Sequence, residues 1–129
     1  MVSPHVGENG CVRVGVVLVV LLLMGCGVPQ ELSKQAEEVH SVAAEGALLA
    51  HEAAEGDTRD TFAREHSKAL RKLLGQVRPA IEEPRLATVA DDVDRTLAEL
   101  ARRPGDRKAA AGAERRLETA AKAADELAK

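Results

Sequence analysis

Histidines are the main side chains in this 129-residue sequence that could support chemistry. His40 and His51 are eleven residues apart, so on one helix they would share a face but lie ~16 Å apart along the axis, too far for one metal ion. Glu37 precedes His40 by three residues, which is the spacing found in di-iron helical bundles. Such a site needs a second pair of this kind and two further inward glutamates, and the sequence contains only the one pair. We therefore expect no metal or cofactor at these positions.

His66 is the stronger candidate because of its neighbours. Phe62, His66, Leu70, Leu73 and Val77 recur at helical spacing and, widened by Ala63 and Leu74, predict an apolar stripe that faces the core. Two interpretations of His66 remain open at this stage. It is either a partly buried histidine that donates a hydrogen bond to a carboxylate or carbonyl, or a ligand for a metal or small apolar molecule held between helices. No nucleophile-elbow, phosphate-loop, dinucleotide or haem-attachment motif occurs, so we predict that the protein is not an enzyme.

Cys26 closes an uncharged apolar segment. Residues 14–24 are mostly Val and Leu and follow Arg13. As a helix they would cover ~16 Å, about half of a ~30 Å hydrocarbon core, so a stable membrane span is not expected. The length and polarity are typical of the apolar region of a secretory signal peptide.

The four residues Leu23-Met24-Gly25-Cys26 resemble the lipobox of bacterial lipoprotein precursors. The resemblance implies a diacylglycerol thioether on Cys26, cleavage between Gly25 and Cys26, and fatty acylation, such as by palmitate, of the new amine. It also implies attachment to the extracytoplasmic face of the cell membrane or outer membrane. A cleaved secretory signal without lipid is the alternative.

This interpretation divides the chain into three parts. Residues 1–25 are the predicted signal peptide, residues 26–29 the lipidated cysteine with a short tether, and residues 30–129 a folded domain. The first eleven residues lack the positive charge of a signal start, whereas a start at Val12 would place Arg13 second. Our hypothesis is that translation begins at Val12.

Residues 30–129 are predicted to form an all-α domain. Ala, Leu, Glu, Lys and Arg dominate, and the whole chain has one Phe, no Trp and no Tyr. The formal net charge is −3 with both signs interspersed, which argues against a nucleic-acid partner and against disorder. Acid-before-base pairs at i,i+4, such as Asp91–Arg95 and Glu99–Arg103, predict ion pairs along the outer faces.

The predicted architecture is an antiparallel up-down-up-down four-helix bundle. The first helix spans residues 30–55 and ends at Gly56, with a buried seam of Leu32, Ala36, Val39, Ala43, Gly46, Ala50 and Ala53. The small seam residues, Gly46 above all, predict close approach of a facing helix. Asp57 or Thr58 is the predicted N-cap of the second helix, Pro84 the first residue of the third, and Asp106 the N-cap of the fourth.

The predicted function is a membrane-anchored, non-enzymatic helical module that acts through protein contact. The alternative is a metal or small apolar ligand in the core around His66. Residues 41–66 also resemble a helical hairpin of small uncharacterised bacterial lipoproteins, a resemblance that implies no activity. The turns at residues 55–59 and 103–107 are charged and are candidate contact sites at one tip of the bundle.

Overall fold

The computed structural model describes residues 30–129, which fold into four α-helices and contain no strand. The helices are α1 (Gln30–Glu55), α2 (Asp60–Val77), α3 (Pro84–Arg102) and α4 (Arg107–Ala128), and a short 3-10 turn, Arg78–Ala80, follows α2. The predicted all-helical domain of four helices is confirmed.

The end of α1 is set by Gly56, as predicted. Gly56 has a φ of +75°, the left-handed conformation that glycine adopts at low cost. Its N–H donates to the carbonyl of Ala53 at 3.2 Å, and the N–H of Asp57 donates to the carbonyl of Glu52 at 2.8 Å. These two bonds form a Schellman motif, which satisfies the last carbonyls of the helix.

The predicted start of α2 is wrong. The N-cap is Arg59, in extended conformation and without a side-chain cap bond, instead of Asp57 or Thr58. Asp57 instead belongs to the motif that closes α1, where its N–H binds the carbonyl of Glu52, and α2 begins at Asp60. The next two helices start as predicted, with Pro84 as the first residue of α3 and with the Asp106 carboxylate accepting from the N–H of Ala109 at 3.0 Å.

The core between the helices is built almost entirely from Leu, Val and Ala. The predicted seam of α1 is buried, with Leu32 partly so. On α3 and α4 the buried positions include Leu86, Ala90, Val93, Leu97, Leu100, Ala110, Ala113, Leu117, Ala120 and Ala124. A Cβ built on Gly46 would lie 2.9 Å from Leu97 Cδ2 and 3.3 Å from Leu117 Cδ1. The close approach predicted at Gly46 is therefore confirmed.

The predicted face of α2 is confirmed at Ala63, Leu70 and Leu74, but its centre is rotated by about 70° from the predicted one. The buried residues are Ala63, Ser67, Leu70 and Leu74, whereas Phe62 and Leu73 are 53% and 50% exposed. A row of arginines at seven-residue spacing contacts α3 in this orientation. Arg64 Nε donates to the carbonyl of Ala101, Arg71 binds Asp94, and Arg78 binds Asp91. When these arginines of α2 contact α3, the side of α2 that carries Ala63 and Leu74 faces the core.

Some outer charges pair between helices, whereas others, such as Lys68 with Glu65 and Arg95 with Asp92, pair within one helix. Asp91 and Glu99 were predicted to pair with Arg95 and Arg103 on the same helix. In the structure Asp91 receives Nε and Nη2 of Arg78 at 2.7 and 3.2 Å, and Glu99 receives Nη1 of Arg116 at 3.1 Å. A guanidinium that reaches across can donate two parallel bonds to one carboxylate, a stronger geometry than the i,i+4 pair offers.

Candidate interaction surface

An exposed line of apolar side chains runs along α2. Phe62, Ala69 and Leu73 are all exposed, and at ~100° per residue they project within about 40° of one another. His66 lies beside this line and is half-buried. We call Phe62, His66, Ala69 and Leu73 the α2 face. Two of the three large exposed apolar side chains in residues 30–129 belong to it.

His66 connects the α2 face to α1. Its Nε2–H donates to Glu45 Oε1 at 3.0 Å, and its ring stacks on Phe62 with centroids 5.4 Å apart and planes at 23°. The side chain retains 32% of its exposure. His66 is therefore the partly buried histidine with a carboxylate partner that one of the two interpretations described, and it stacks on the surface ring of Phe62.

The position of His66 also bears on the two interpretations left open by the sequence. A ligand in the core around His66 requires a ring that faces the core, and this ring faces Glu45 and Phe62 on the surface. Within residues 30–129 no group of three or more His, Cys, Asp or Glu side chains is placed to hold a metal ion. The ring of His66 is therefore not placed to bind a ligand within the core.

A shallow groove of about 500 Å³ extends the α2 face toward α1. Val42, Leu73 and Val77 contribute its apolar lining, and Lys34 and Glu38 are among its polar residues. The groove continues the apolar line past the last exposed leucine of α2. The surface available for contact is thus both α2 and the adjoining side of α1.

Charges of opposite sign border the α2 face. On the α1 side, glutamates recur every seven residues at Glu31, Glu38, Glu45 and Glu52. On the other side of the α2 face lie Lys68 and Lys72, which are exposed. Lys68 Nζ is 3.4 Å from Glu65 on its own helix. The border along α1 is therefore mainly acidic, with Lys34 among its residues, and the border along α2 carries two lysines and Glu65, a net positive charge.

The strongest charge interactions lie on the far side of α2, against α3. The hydrogen bond from Arg78 holds the pKa of Asp91 below its usual value, and the hydrogen bond to Asp94 raises the pKa of Arg71. These pairs join the two helices and leave the charges around the α2 face outside their network. They are formed in the orientation of α2 that buries Leu70 and Leu74 and exposes Phe62 and Leu73.

His40 and His51 lie on a different surface, between α1 and α4. His40 Nδ1–H donates to the carbonyl of Ala121 at 2.8 Å, and His51 Nδ1–H donates to Glu114 Oε1 at 2.9 Å. Both line an open groove of about 630 Å³ beside Leu48, which is 60% exposed. Each histidine thus has its own partner on α4.

The two turns predicted to form a charged tip lie together. The Arg107 guanidinium packs against Gly56, and a Cβ on Gly105 would lie 2.9 Å from the Asp60 carboxylate. Each glycine leaves room for a charged side chain from the other turn. The contacts join residues 55–59 and 103–107 into one polar surface.

The predicted lipidation site, Cys26, and the predicted cleavage after Gly25 lie outside the described residues, as do the rest of the signal peptide and the tether. Among the helices of residues 30–129, none is long and apolar enough to cross a membrane. No protein-family model, curated protein or solved structure matches the chain.

The sequence predicted most residues of the α2 face but not their exposure. Phe62, His66 and Leu73 were identified as one stripe, but the stripe was placed inside. The glutamates at seven-residue spacing mark the solvent-exposed side of α1. They are the sequence signal that could have identified the side of α2 next to it.

Proposed function

We propose that this chain is a lipoprotein of the extracytoplasmic membrane surface, with a helical domain that acts through protein contact. The lipid on Cys26 would hold the domain on the cell membrane or outer membrane. The motif ending at Cys26 and the uncharged segment before it support the anchor. No enzymatic activity, cofactor or nucleic-acid partner forms part of the proposal.

The helices of the domain would alternate up-down-up-down. Contacts between neighbouring helices support this order. Residue numbers increase along one helix while the numbers of the residues they contact decrease along the other. Ser33 and His40 contact Ala128 and Ala121, and Arg64 and Arg71 contact Ala101 and Asp94. In such a bundle the α2–α3 connection and the C-terminus lie at the end nearest Cys26. The turns at residues 55–59 and 103–107 then project away from the membrane.

The observation that carries protein contact as the function is the exposed α2 face. Phe62 is the only Phe of the chain, and more than half of it is exposed, whereas Leu, Val and Ala residues fill the core. Apolar burial stabilises by about 25 cal/mol per Å², so an aromatic ring left outside the core forgoes a large gain. An apolar line bordered by charge is typical of a surface that binds another protein.

The anchor is tested by replacing the cysteine. In the full chain expressed in a bacterial host, Cys26→Ser should abolish incorporation of labelled palmitate and move the protein from the membrane to the soluble fraction. Cys11→Ser is the matched control, because Cys11 lies within the predicted signal peptide and should leave both readouts unchanged. Membrane attachment that survives Cys26→Ser would refute the anchor.

Protein contact is tested with a photo-crosslinking residue in the membrane-bound protein. Benzoylphenylalanine at Leu73 should give a discrete protein adduct on illumination. The same residue at Lys108, exposed on α4, is the control and should give none. If position 73 gave no adduct above the control, contact through the α2 face would be refuted.

A further inference from the structure

We propose that the α2 face binds a second copy of this chain, forming a homodimer whose twofold axis runs along the helices. The two α2 helices then lie parallel and side by side. This inference deepens the proposed function by naming the partner, and it rests on the proposed antiparallel packing of α1 and α2.

The spacing along the α2 face fits a helix of the same kind. Phe62, His66, Ala69, Leu73 and Gln76 follow one another at intervals of four, three, four and three residues. That is the seam spacing by which two helices interlock side chains along their length. Ala69 is small and lies between two large apolar residues, so two such helices can approach closely at the middle of the contact.

The borders of the face determine how the copies are oriented. A twofold axis across the helices would set the acidic border of one copy against the acidic border of the other, and lysines against lysines. An axis along the helices sets the glutamates of α1 against the lysines of the partner copy. Like charges brought together at an interface disfavour an arrangement. The charges therefore select the parallel dimer.

The positions of the charged residues along the helix axis also agree with the parallel arrangement. Glu45 lies level with His66, to which it is hydrogen-bonded, and therefore about 3 Å along the axis from Lys68. Glu38 is seven residues earlier on α1, which in an antiparallel pair places it level with residue 73, next to Lys72. A twofold axis along the helices leaves every residue at the same position along that axis. Each lysine therefore faces one glutamate of the second copy.

The parallel dimer is also compatible with the anchor. An axis along the bundle places the beginning of α1 at the same end in both copies, so lipids on both Cys26 residues can enter one bilayer. An antiparallel dimer would direct one of the two anchors away from the membrane. Confinement to a membrane surface raises the effective concentration of the copies and favours association.

Single cysteines read out the arrangement in the full chain, in membranes, on a Cys11→Ser background. Ala69 and Gln76 each face their own counterpart in a parallel dimer. After mild oxidation, Ala69→Cys and Gln76→Cys should therefore both give a disulfide-linked dimer on a non-reducing gel. Ala109→Cys, exposed on α4, and the background without added cysteine should give none. A dimer from Ala69→Cys without one from Gln76→Cys would overturn the parallel arrangement, and dimer from neither would overturn the self-contact.

A charge swap tests the reason for the orientation. Lys68→Glu with Lys72→Glu should reduce the Gln76→Cys dimer at least tenfold. Adding Glu38→Lys and Glu45→Lys in the same chain should restore at least half of it, while circular dichroism verifies that each variant is helical. A dimer that the first pair of changes leaves intact would overturn the charge argument. A crosslinked product whose mass is that of this chain plus a different protein would overturn the dimer and leave the proposed function standing.

Failure of the anchor is distinguishable from failure of the dimer. If Cys26→Ser left palmitate labelling and fractionation unchanged, the proposed lipoprotein would fall. The Gln76→Cys disulfide in detergent solution would still report the dimer. Conversely, a labelled, membrane-bound chain with no disulfide at either position would retain the anchor and overturn the dimer.

Discussion

Replacing Gly46 by Ala adds one methyl group at the point where α1 comes closest to the opposite helices. The new Cβ would lie 2.9 Å from Leu97 Cδ2 and 3.3 Å from Leu117 Cδ1. Both leucines are completely buried, so neither can swing its methyl groups into solvent. The core has to shift to accept the change.

Two opposing effects set the magnitude. Alanine is favoured over glycine within a helix by about 1 kcal/mol. Forcing extra volume into a well-packed core costs about 1–3 kcal/mol. We therefore expect Gly46→Ala to lower the free energy of unfolding by roughly 0–2 kcal/mol. For a domain of about 100 residues, each kcal/mol corresponds to roughly 4–8 °C in the midpoint of thermal unfolding.

Two other glycines supply matched controls. Gly75 in α2 and Gly112 in α4 have no heavy atom within 4 Å of an added Cβ. Gly75→Ala and Gly112→Ala should therefore each raise the free energy of unfolding by about 0.5–1 kcal/mol. The assay is thermal and urea unfolding followed by circular dichroism, on the same protein preparation for all variants.

A second substitution tests whether Leu97 is the residue with which the added methyl group of Gly46→Ala collides. Leu97→Val removes the nearest methyl, so the double variant with Gly46→Ala should be more stable than the sum of the single changes predicts, by about 1 kcal/mol. If Gly46→Ala stabilised the protein as much as Gly112→Ala, the close-approach argument would be refuted. A double variant that was strictly additive would show that Leu97 is not the obstacle.

Three further predictions concern single polar groups. The Ser67 hydroxyl is buried without a hydrogen-bond partner, so Ser67→Ala should raise the free energy of unfolding by about 1 kcal/mol in urea titrations. Thr96→Val is its control and should show no such gain, since the Thr96 hydroxyl is bonded to a carbonyl one turn earlier. Asp106→Ala removes the N-cap bond of α4 and should cost about 1 kcal/mol in the same titrations; an unchanged midpoint would contradict the cap. Because Arg78 lowers the pKa of Asp91, their pairing stabilises the fold above the ordinary Asp pKa of about 3.9 and is lost as the pH falls through the lowered value. The urea midpoint of Asp91→Asn should therefore fall less than that of the wild type on acidification, and parallel curves would contradict the prediction.

Local signals in the sequence determined the number of helices and most of their ends. Gly56 ends α1 through its own backbone conformation, Pro84 suits a first helical position, and Asp106 caps through its own carboxylate. Each of these effects acts within a few residues, so composition and spacing were enough to predict them. The seam of α1 was predictable for the same reason, because its residues recur at alternating spacings of four and three along the whole helix.

The rotation of α2 and everything that depends on it were decided only by the tertiary structure. This helix carries two adjacent stripes at the same three-and-four spacing, one through Phe62 and Leu73 and one through Ala63 and Leu74. Periodicity cannot distinguish them, so the predicted face was centred on the first stripe and included Ala63 and Leu74 at its edge. The choice follows from contacts with α3, where arginines find their acidic partners thirteen to twenty-three residues away in the chain. Those long-range pairs leave Phe62 outside beside His66, because a rigid helix can present only one of its two stripes to the core.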